Sequence, residues 1–478
     1  MGRVYLGVDI GTTSAKCLAA AEDGRILAFA QQSYMMSHPR EGWAEQDAND
    51  YWQALVATVR ACVEQCEREG LPRHSVAALA LSTQGDTLVV TDRHGKSLLP
   101  AVSWMDARGS EEHAQLLSEA GAGFWYEQTG MPFTVLSSAC SIRWIQKHRP
   151  DVMDAGPVFC YVPDYLARRL IGVFATDVPS ASWCPLFSTR RREWSRPVLE
   201  LLGIDAGALP EVRESGVVLG ELSAGVAEEL GLSCGVRLVA GAFDQAAAAH
   251  GAGGRGILSC GTAWVLYMTA SRPVEDSRRQ LSTCCHAVGG QWGTVLPFSG
   301  GTAYDWVSRT VPVEDGAPAS SAKPLVFIPH LYGGLSPDFR EKSKGSILGL
   351  TLSHTAADIR EAVMRGLACE TRRNLDAAEP LCGRMESVRM VGGAGKSETW
   401  PQIIADVLDR TVEVSDCVES ACYGAAKLAA GDVSSGWDGV FGLRRFEPAA
   451  EAVQREERNY QRYLVFYRAL VDIYEVDY

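Results

Sequence analysis

The sequence lacks the apolar segments that mark a membrane or secreted protein. No apolar run approaches the roughly 20 residues that a membrane helix needs, and Asp9 interrupts the only N-terminal stretch that resembles a signal sequence. We therefore expect a cytoplasmic protein that does not bind a membrane.

Positive charge is also scarce. The 45 Lys and Arg residues are outnumbered by 58 Asp and Glu residues, which gives a formal net charge of -13. Nucleic acids and anionic membranes attract dense basic surfaces. The composition therefore argues against nucleic-acid and membrane partners, and a polyanionic ligand would have to be held by a few local groups.

Cysteine is abundant but not spaced as a metal site. None of the 14 cysteines forms a C-x-x-C pair, and several, such as Cys62 and Cys369, fall in apolar helical patterns. That usage is typical of reduced core residues. Cys284, Cys285 and His286 are possible ligands in principle, but a lone cluster without a second pair favours packing.

The length and composition indicate a globular protein of more than one domain. A chain of 478 residues is too long for one hydrophobic core. Hydrophobic residues make up 46% and charged residues 22%, which is ordinary for a soluble protein. We expect two or three domains.

The stretch V-Y-L-G-V-D-I-G-T-T-S-A-K, residues 4–16, combines an alternating strand with a glycine turn. Gly11 would let the backbone approach an anion closely, and Thr12 and Thr13 would offer hydroxyl and amide donors. Lys16 would supply a positive charge. The pattern predicts a phosphate-binding turn, and a β-hairpin with a polar turn is the alternative.

Asp9 lies at the end of the same strand. A carboxylate at that place is suited to a hydrated Mg²⁺ ion, because magnesium prefers oxygen ligands and keeps several waters. Asp9 is therefore the candidate metal ligand.

The first quarter of the chain predicts a mixed α/β unit. Three strand-like runs at 4–10, 16–21 and 25–33 form a meander, and 47–69 reads as an amphipathic helix. A buried strand at 76–83 follows and ends in Q-G-D-T. Polar residues just past a strand's carboxyl end are where open α/β sheets bind ligands.

A second marker is W-M-D-A-R at residues 104–108. Trp104, Asp106 and Arg108 place an aromatic ring, a carboxylate and a guanidinium within five residues. They predict either a substrate contact or a core tryptophan beside a local ion pair.

The opening turn has an echo in the second half of the chain. A strand and helix start, V-R-L-V-A-G-A-F-D-Q-A-A-A-A-H-G, precede G-I-L-S-C-G-T-A, in which Gly261 and Thr262 follow a strand. Repetition of one turn in two halves suggests two related domains that face one ligand.

A glycine-rich turn, G-G-A-G-K-S, stands at 392–397. It is not a Walker A motif, because the first glycine of that motif would fall at Met390. The glycines instead predict a backbone that passes close to a flat or anionic ligand at a helix N-terminus.

Together these motifs resemble the FGGY family of carbohydrate kinases. The resemblance runs from Val4 to about Ala430 and rests on motifs in the family's order: D-I-G-T-T-S-A-K, Q-G-D-T, W-M-D-A-R, G-A-F-D-Q, C-G-T-A, G-S-I-L-G-L and G-G-A-G-K-S-E-T-W-P-Q-I-I-A-D. It implies an α/β fold of two ribonuclease-H-like domains, of actin and hexokinase type, with an interdomain cleft. It also implies domains at 1–242 and 243–432, and a helical tail at 433–478 that packs on the body.

The resemblance implies transfer of the γ-phosphoryl group of ATP to a sugar or polyol hydroxyl, with Mg²⁺. Asp244 matches the catalytic base and Lys16 the catalytic cation of the first phosphate turn. The implied acceptor contacts are Gln84, Asp86, Trp104, Asp106, Arg108, Asp244 and Gln245. The implied nucleotide contacts are Gly11, Thr12, Thr13, Lys16, Gly261, Thr262, Gly393, Ala394, Gly395, Ser397 and Gln402.

The acceptor itself is less closely specified. Glycerol kinases carry Arg and Glu where Gly85 and Asp86 stand, so Gly85 predicts more room and a larger acceptor. Xylulokinases usually read Q-M-H-G at 84–87 and G-E-R-T-P at 333–337, where this chain has Gly334. We expect a ketopentose, xylulose first, with erythritol, ribulose, fuculose or glycerol as alternatives.

Two non-kinase functions share the fold. A sugar-binding regulator without turnover would be expected to have lost Asp244, Lys16 or one of the two G-T turns, and all of them are present. An actin-like or chaperone ATPase would not need the D-Q pair or the Q-G-D-T loop. The resemblance leaves a homodimer open.

Overall fold

The computed structural model describes residues 2–261, 263–313, 319, 323–340, 342–417 and 419–474. Two large sheets, one in each half of the chain, form its framework.

The first half contains short and long strands around one six-stranded sheet. They are β1 (Val4–Ile10), β2 (Ser14–Ala21), β3 (Ile26–Ser33), β4 (Glu45–Gln46), β5 (Val76–Thr83), β6 (Leu88–Thr91), β7 (Ala101–Val102), β8 (Val158–Tyr161), β9 (Ala175–Asp177), β10 (Phe187–Ser188), β11 (Glu193–Trp194), β12 (Glu211–Arg213), β13 (Val218–Glu221) and β14 (Arg237–Phe243). The helices of this half are α1 (Ala48–Arg68), α2 (Ser110–Thr129), α3 (Ser138–His148), α4 (Pro150–Asp154), α5 (Val162–Ile171), α6 (Val178–Ser182), α7 (Arg196–Leu202), α8 (Ala224–Glu229) and α9 (Asp244–Ala252).

The second half has a seven-stranded sheet and a small two-stranded one. The strands are β15 (Gly256–Cys260), β16 (Ala263–Ala270), β17 (Ser282–Cys285), β18 (Trp292–Ser299), β19 (Val326–Ile328), β20 (Ser346–Leu348), β21 (Ser387–Gly392), β22 (Thr411–Ser415) and β23 (Leu443–Phe446). The helices are α10 (Gly301–Thr310), α11 (Ala356–Cys382), α12 (Thr399–Leu408), α13 (Ser420–Ala430) and α14 (Ala450–Tyr474).

The two large sheets share one topology. The first has the order β13-β14-β5-β1-β2-β3, in which β1 is antiparallel to β2 and parallel to β5. The second has the order β17-β18-β16-β15-β21-β22-β23, in which β15 is antiparallel to β16 and parallel to β21. This repeat confirms the prediction of an α/β fold with two ribonuclease-H-like domains of actin and hexokinase type.

Local sequence signals predicted several elements well. The meander is β1 to β3, and the predicted helix at 47–69 is α1, whose N-cap Asp47 accepts a hydrogen bond from the Asn49 amide. Polar caps of this kind satisfy amides that a helix leaves unpaired.

The predicted C-terminal tail is not helical throughout. Residues 443–446 form β23, which pairs antiparallel with β22 at the edge of the second sheet. The rest is α14, whose Tyr460, Tyr463 and Tyr467 are buried against the second core. Part of the tail is thus an integral strand of the sheet, because its backbone completes the ladder beside β22.

Helix α13 joins the two halves by close backbone contact. A Cβ atom on Gly7 of β1 would lie 1.8 Å from the Cys422 carbonyl oxygen, and one on Gly424 would lie 1.9 Å from the Ala247 carbonyl oxygen of α9. Only glycine permits such an approach. The start of α13 is thereby held against the middle of β1 in the first sheet.

The cysteines are free thiols, and all but Cys234 are buried. Within the part of the chain that the structure describes, no helix has the length and apolar character needed to cross a membrane.

Candidate active site

Three parallel strands of the first sheet end side by side. Ile10 of β1 is in register with Thr83 of β5, and Thr83 is in register with Phe243 of β14. The next residues are Gly11, Gln84 and Asp244. The carboxyl ends of parallel strands form one sheet edge. The predicted phosphate turn (11–14), the predicted acceptor loop (84–87) and the predicted base Asp244 therefore begin next to one another.

Asp244 is the first residue of α9. The Gln245 amide donates a hydrogen bond to Asp244 Oδ1 at 2.7 Å, and Gln245 Nε2 lies 3.3 Å from Oδ2. Burial, together with the negative charge of Asp9, raises the pKa of Asp244 to about 7. A carboxylate with a pKa near the working pH is suited to general-base catalysis.

Asp9 lies near Asp244 and is largely buried. Ser82 Oγ donates a hydrogen bond to Asp9 Oδ1 at 2.6 Å, and burial raises the pKa of Asp9 in spite of that bond. Lys16 is its cross-strand neighbour in the β1–β2 pair. Magnesium is commonly held by one or two carboxylates, waters and substrate phosphates. Two interacting carboxyls beside a phosphate turn fit that ligand set.

Lys16 makes an ion pair with the other half of the chain. Its Nζ lies 2.7 Å from Glu419 Oε2, just before α13. Burial lowers the pKa of Lys16, but the hydrogen bond and charge of Glu419 outweigh it and hold the pKa above its usual value. Lys16 therefore stays positively charged at the phosphate turn.

The phosphate turn is held on several sides. The Gly11 amide donates to the Ser14 carbonyl at 3.0 Å, and Gln46 Nε2 donates to the Thr12 carbonyl at 2.8 Å. Trp104 Nε1 donates to Thr12 Oγ1 at 3.1 Å. Trp104 is 41% exposed, so it is not a core residue, and it links the turn to the predicted acceptor region.

The second turn lies beside the predicted nucleotide turn. Cys260 at the end of β15 is in register with Gly392 at the end of β21. Gly392 has φ 98°, and a Cβ there would lie 2.7 Å from the Cys260 carbonyl oxygen. Gly261, next in the chain, is exposed. Thr262, also predicted to contact the nucleotide, lies outside the described residues.

The turn after Gly392 has both open and packed positions. Gly393 is exposed, Ala394 is half-buried and Gly395 is buried. Ser397 Oγ accepts hydrogen bonds from the Thr399 and Trp400 amides at the start of α12.

Gln402 is tied to its own domain. Its Nε2 donates to Asp406 Oδ1 at 3.0 Å and to the Glu447 carbonyl at 2.9 Å. Both Ser397 and Gln402 thus stabilise α12 and its surroundings, and their contact with nucleotide stays a prediction.

The acceptor loop presents two unsatisfied oxygen atoms. Asp86 has φ 55°, and its Oδ2 accepts from the Ser138 amide at 3.2 Å. Among the described residues, buried Asp86 Oδ1 and Gln84 Oε1 have no hydrogen-bond partner. Burial raises the pKa of Asp86 to about 7. Unpartnered buried acceptors are costly unless a ligand donates to them, and sugar hydroxyls are such donors.

Sequence comparison decides the family. The profile of the FGGY family of carbohydrate kinases matches residues 4–251 with its N-terminal domain and residues 257–431 with its C-terminal domain. The chain belongs to the FGGY family of carbohydrate kinases. It is therefore a phosphotransferase with an alcohol group as acceptor, an ATP-dependent kinase of sugars or polyols.

Relatives within the FGGY family include kinases of two acceptors. The chain is 27% identical to a xylulose kinase of Escherichia coli over 89% of both chains. It is 30% identical to a glycerol kinase of Cereibacter sphaeroides over 95% of this chain and 96% of the relative. The crystal structure of a Brucella ovis xylulose kinase has a TM-score of 0.91 at 25% identity and covers 98% of this chain and 100% of that one.

Gly85 does not open the room that the sequence predicted. A Cβ on Gly85 would lie 2.1 Å from Trp183 Cδ1, so an indole from the segment after α6 fills the space. The prediction of open room beside Gly85 is therefore wrong, whereas an acceptor larger than glycerol stays a prediction. No local pattern indicates that Trp183 would reach this loop, because the two lie about 100 residues apart.

Asp106 and Arg108 form the local ion pair that the sequence left as an alternative. Arg108 Nε lies 2.8 Å from Asp106 Oδ1, and Arg108 also bonds Glu45 at 2.7 Å and stacks on Trp43. Asp106 also accepts from the Ala44 amide at 2.6 Å. Both side chains are almost fully buried. They brace the segment that carries Trp104, and direct contact with the acceptor stays a prediction.

Sequence reasoning missed two residues of this site, Glu419 and Trp183. Glu419 had no local signal, because its partner Lys16 is 403 positions away. Trp183 follows the polar segment A-T-D-V-P-S-A-S, whose sequence does not distinguish a surface loop from a substrate contact.

Proposed function

We propose that this FGGY kinase phosphorylates a hydroxyl of a ketopentose or related sugar, with D-xylulose first. One observation carries the proposal. Asp244, a carboxyl group whose pKa is raised to about 7, lies at the same sheet edge as the unpartnered oxygens of Asp86 and Gln84. The names of the xylulose kinase relatives support the choice of sugar.

Asp244 accepts the proton of the attacking hydroxyl. The oxygen then forms a bond to the γ-phosphorus while the bond to the β-phosphate bridge breaks, and ADP leaves. The Gln245 amide steadies Asp244 in position. Lys16, with the amides and hydroxyls of Thr12 and Thr13, binds the phosphates and offsets their charge.

Asp9 would hold a magnesium ion, which would supply positive charge to neutralise the charge that develops during phosphoryl transfer. The turns at Gly261 and at Gly393 to Gly395 bind the rest of the nucleotide from the second domain.

Asp86 and Gln84 bind acceptor hydroxyls. An ionised carboxylate only accepts, and a side-chain amide oxygen also accepts, so both orient donor hydroxyls. This arrangement favours an acceptor with several hydroxyl groups and disfavours a carboxylate.

A small polyol such as glycerol is the second candidate. Trp183 occupies the room beside Gly85, which favours a compact acceptor, and the chain has a glycerol kinase relative at 30% identity.

The test is a screen of ADP release with pentuloses, hexuloses, pentitols, tetritols and glycerol. We expect the highest kcat/KM with D-xylulose, and a loss of kcat of about 10²- to 10⁴-fold in Asp244→Asn with that acceptor. A higher kcat/KM with glycerol would show that glycerol, and not D-xylulose, is the acceptor. Turnover of no acceptor, or an unimpaired Asp244→Asn, would overturn the mechanism.

A further inference from the structure

Trp183 contacts both parts of the acceptor site. Its indole lies against the backbone of Gly85, between Gln84 and Asp86. Its ring also stacks on Phe243, the residue before Asp244, with centroids 5.1 Å apart and planes 4° from parallel. One side chain thus connects the acceptor loop to the helix that begins with the base.

The segment that carries Trp183 also contacts the second half of the chain. Ser182 Oγ, next to it in the chain, accepts a hydrogen bond from the Cys285 amide at 2.8 Å. Within residues 175–189, Trp183 is the single residue that is not fully buried. The partly exposed indole therefore contacts the residue between Gln84 and Asp86 and the residue before Asp244.

We infer that Trp183 is a specificity-determining residue that forms a wall of the acceptor pocket and sets the length of the sugar it admits. The inference rests on the proposed function. An indole offers a rigid apolar face of large area, which packs against the C–H face of a sugar and leaves no room for added carbons. Gly85 is needed for this arrangement, because a side chain at that position would displace the Trp183 indole.

The test compares D-xylulose with the six-carbon ketose D-fructose in wild type and variants. One methylene in a fitted pocket changes kcat/KM by about 10- to 200-fold. We therefore expect Trp183→Ala to raise the fructose-to-xylulose ratio of kcat/KM at least about tenfold, with the KM for ATP unchanged. Trp183→Phe, which keeps a stacked ring on Phe243, should shift the ratio less.

Trp194→Ala is the matched control. Trp194 is another half-buried indole that meets a phenylalanine, Phe187, at 5.5 Å. Its removal should cost similar stability and leave the acceptor ratio unchanged. If Trp183→Ala does not fold, Trp183→Phe and Trp183→Leu still report the ratio.

A second measurement uses the clash at Gly85. Gly85→Ala should raise the acceptor KM at least about tenfold when Trp183 is present, and much less in the Trp183→Ala background, because contacting residues couple. An unchanged acceptor ratio in an active Trp183→Ala enzyme, or no coupling with Gly85→Ala, would overturn the inference and leave the proposed function intact. Failure of the wild type to phosphorylate any acceptor is the separate result that rejects the function.

Discussion

Lys16 Nζ of the first phosphate turn lies 2.7 Å from Glu419 Oε2 of the second half of the chain. The side chains are 27% and 25% exposed, and pairs of this kind contribute at most about 1 kcal/mol to stability. The pair matters more for charge, because Glu419 offsets the positive charge of the lysine that we propose to bind the nucleotide phosphates.

Glu419→Gln should therefore lower the KM for ATP by about two- to fivefold, which corresponds to less than 1 kcal/mol, with kcat little changed. Lys16→Met should raise the KM. Steady-state kinetics with varied ATP measures both.

Glu200→Gln serves as the control, since Glu200 pairs with Arg196 on an exposed helix surface. A KM for ATP that rises in Glu419→Gln would show instead that Glu419 holds Lys16 in its productive position.

The pH dependence of kcat/KM should report the ionisation of Asp244. Its pKa is raised to about 7, and the base acts only when ionised, so kcat/KM should fall about tenfold per pH unit below that value. Above this pH, kcat/KM should be constant. A pH profile between 5 and 9 with saturating ATP measures this.

In Asp9→Asn the acidic fall of kcat/KM should occur at lower pH, because the negative charge of Asp9 helps to raise the pKa of Asp244. The maximum rate should fall as well, since Asp9 is the proposed magnesium ligand. If kcat/KM of the wild type fell only near the ordinary carboxyl pKa of about 4, the buried environment of the base would be contradicted.

Glu370 is the centre of a buried polar network in the second domain. Arg373 Nη2 donates to it at 2.8 Å, Tyr463 OH donates at 2.5 Å, and His330 Nε2 lies 3.4 Å away. Burial raises the pKa of Glu370, but the charges of Arg373 and His330 outweigh it and hold the pKa well below its usual range.

Glu370→Ala should therefore lower the free energy of unfolding by up to about 3–5 kcal/mol, because it removes the buried carboxylate partner of Arg373 and leaves that guanidinium only its pair with the more exposed Asp338. Urea denaturation measures the loss. Glu457→Ala, which breaks the more exposed pair with Arg372, should cost less than about 1 kcal/mol. Equal losses in the two variants would show that the network contributes little.

Asp164 should make the protein less stable as the pH rises. Burial raises its pKa from 3.8 to about 8. Between these pH values Asp164 is ionised in the unfolded chain but protonated in the folded protein. Its contribution to the free energy of unfolding is therefore fully present below pH 3.8 and is lost as the pH rises through 8. The slope is up to about 1.4 kcal/mol per pH unit.

Asp164→Asn removes this titration, and its side-chain oxygen can still accept from the Tyr161 amide, so stability should depend less on pH between 4 and 8. Asp151→Asn is the control, because Arg149 holds the pKa of the exposed Asp151 below its usual value. Parallel curves for wild type and Asp164→Asn would refute the assignment.

The sequence by itself determined the elements and the chemistry that depend on neighbouring residues. The strand and turn at 4–16, the helix capped by Asp47 and the D-Q pair at 244–245 are encoded within a few positions, so periodicity, caps and motifs were enough to find them. The repeated turn at Gly261 also predicted two related domains.

Only the tertiary structure decided which side chains share space across long separations. It paired Lys16 with Glu419, placed Trp183 against Gly85 where the sequence predicted room, and brought Glu45 to Arg108. Such contacts depend on how α13 and the segment after α6 pack against the first sheet. No local pattern encodes them, because the partners lie between 63 and 403 positions apart in the chain.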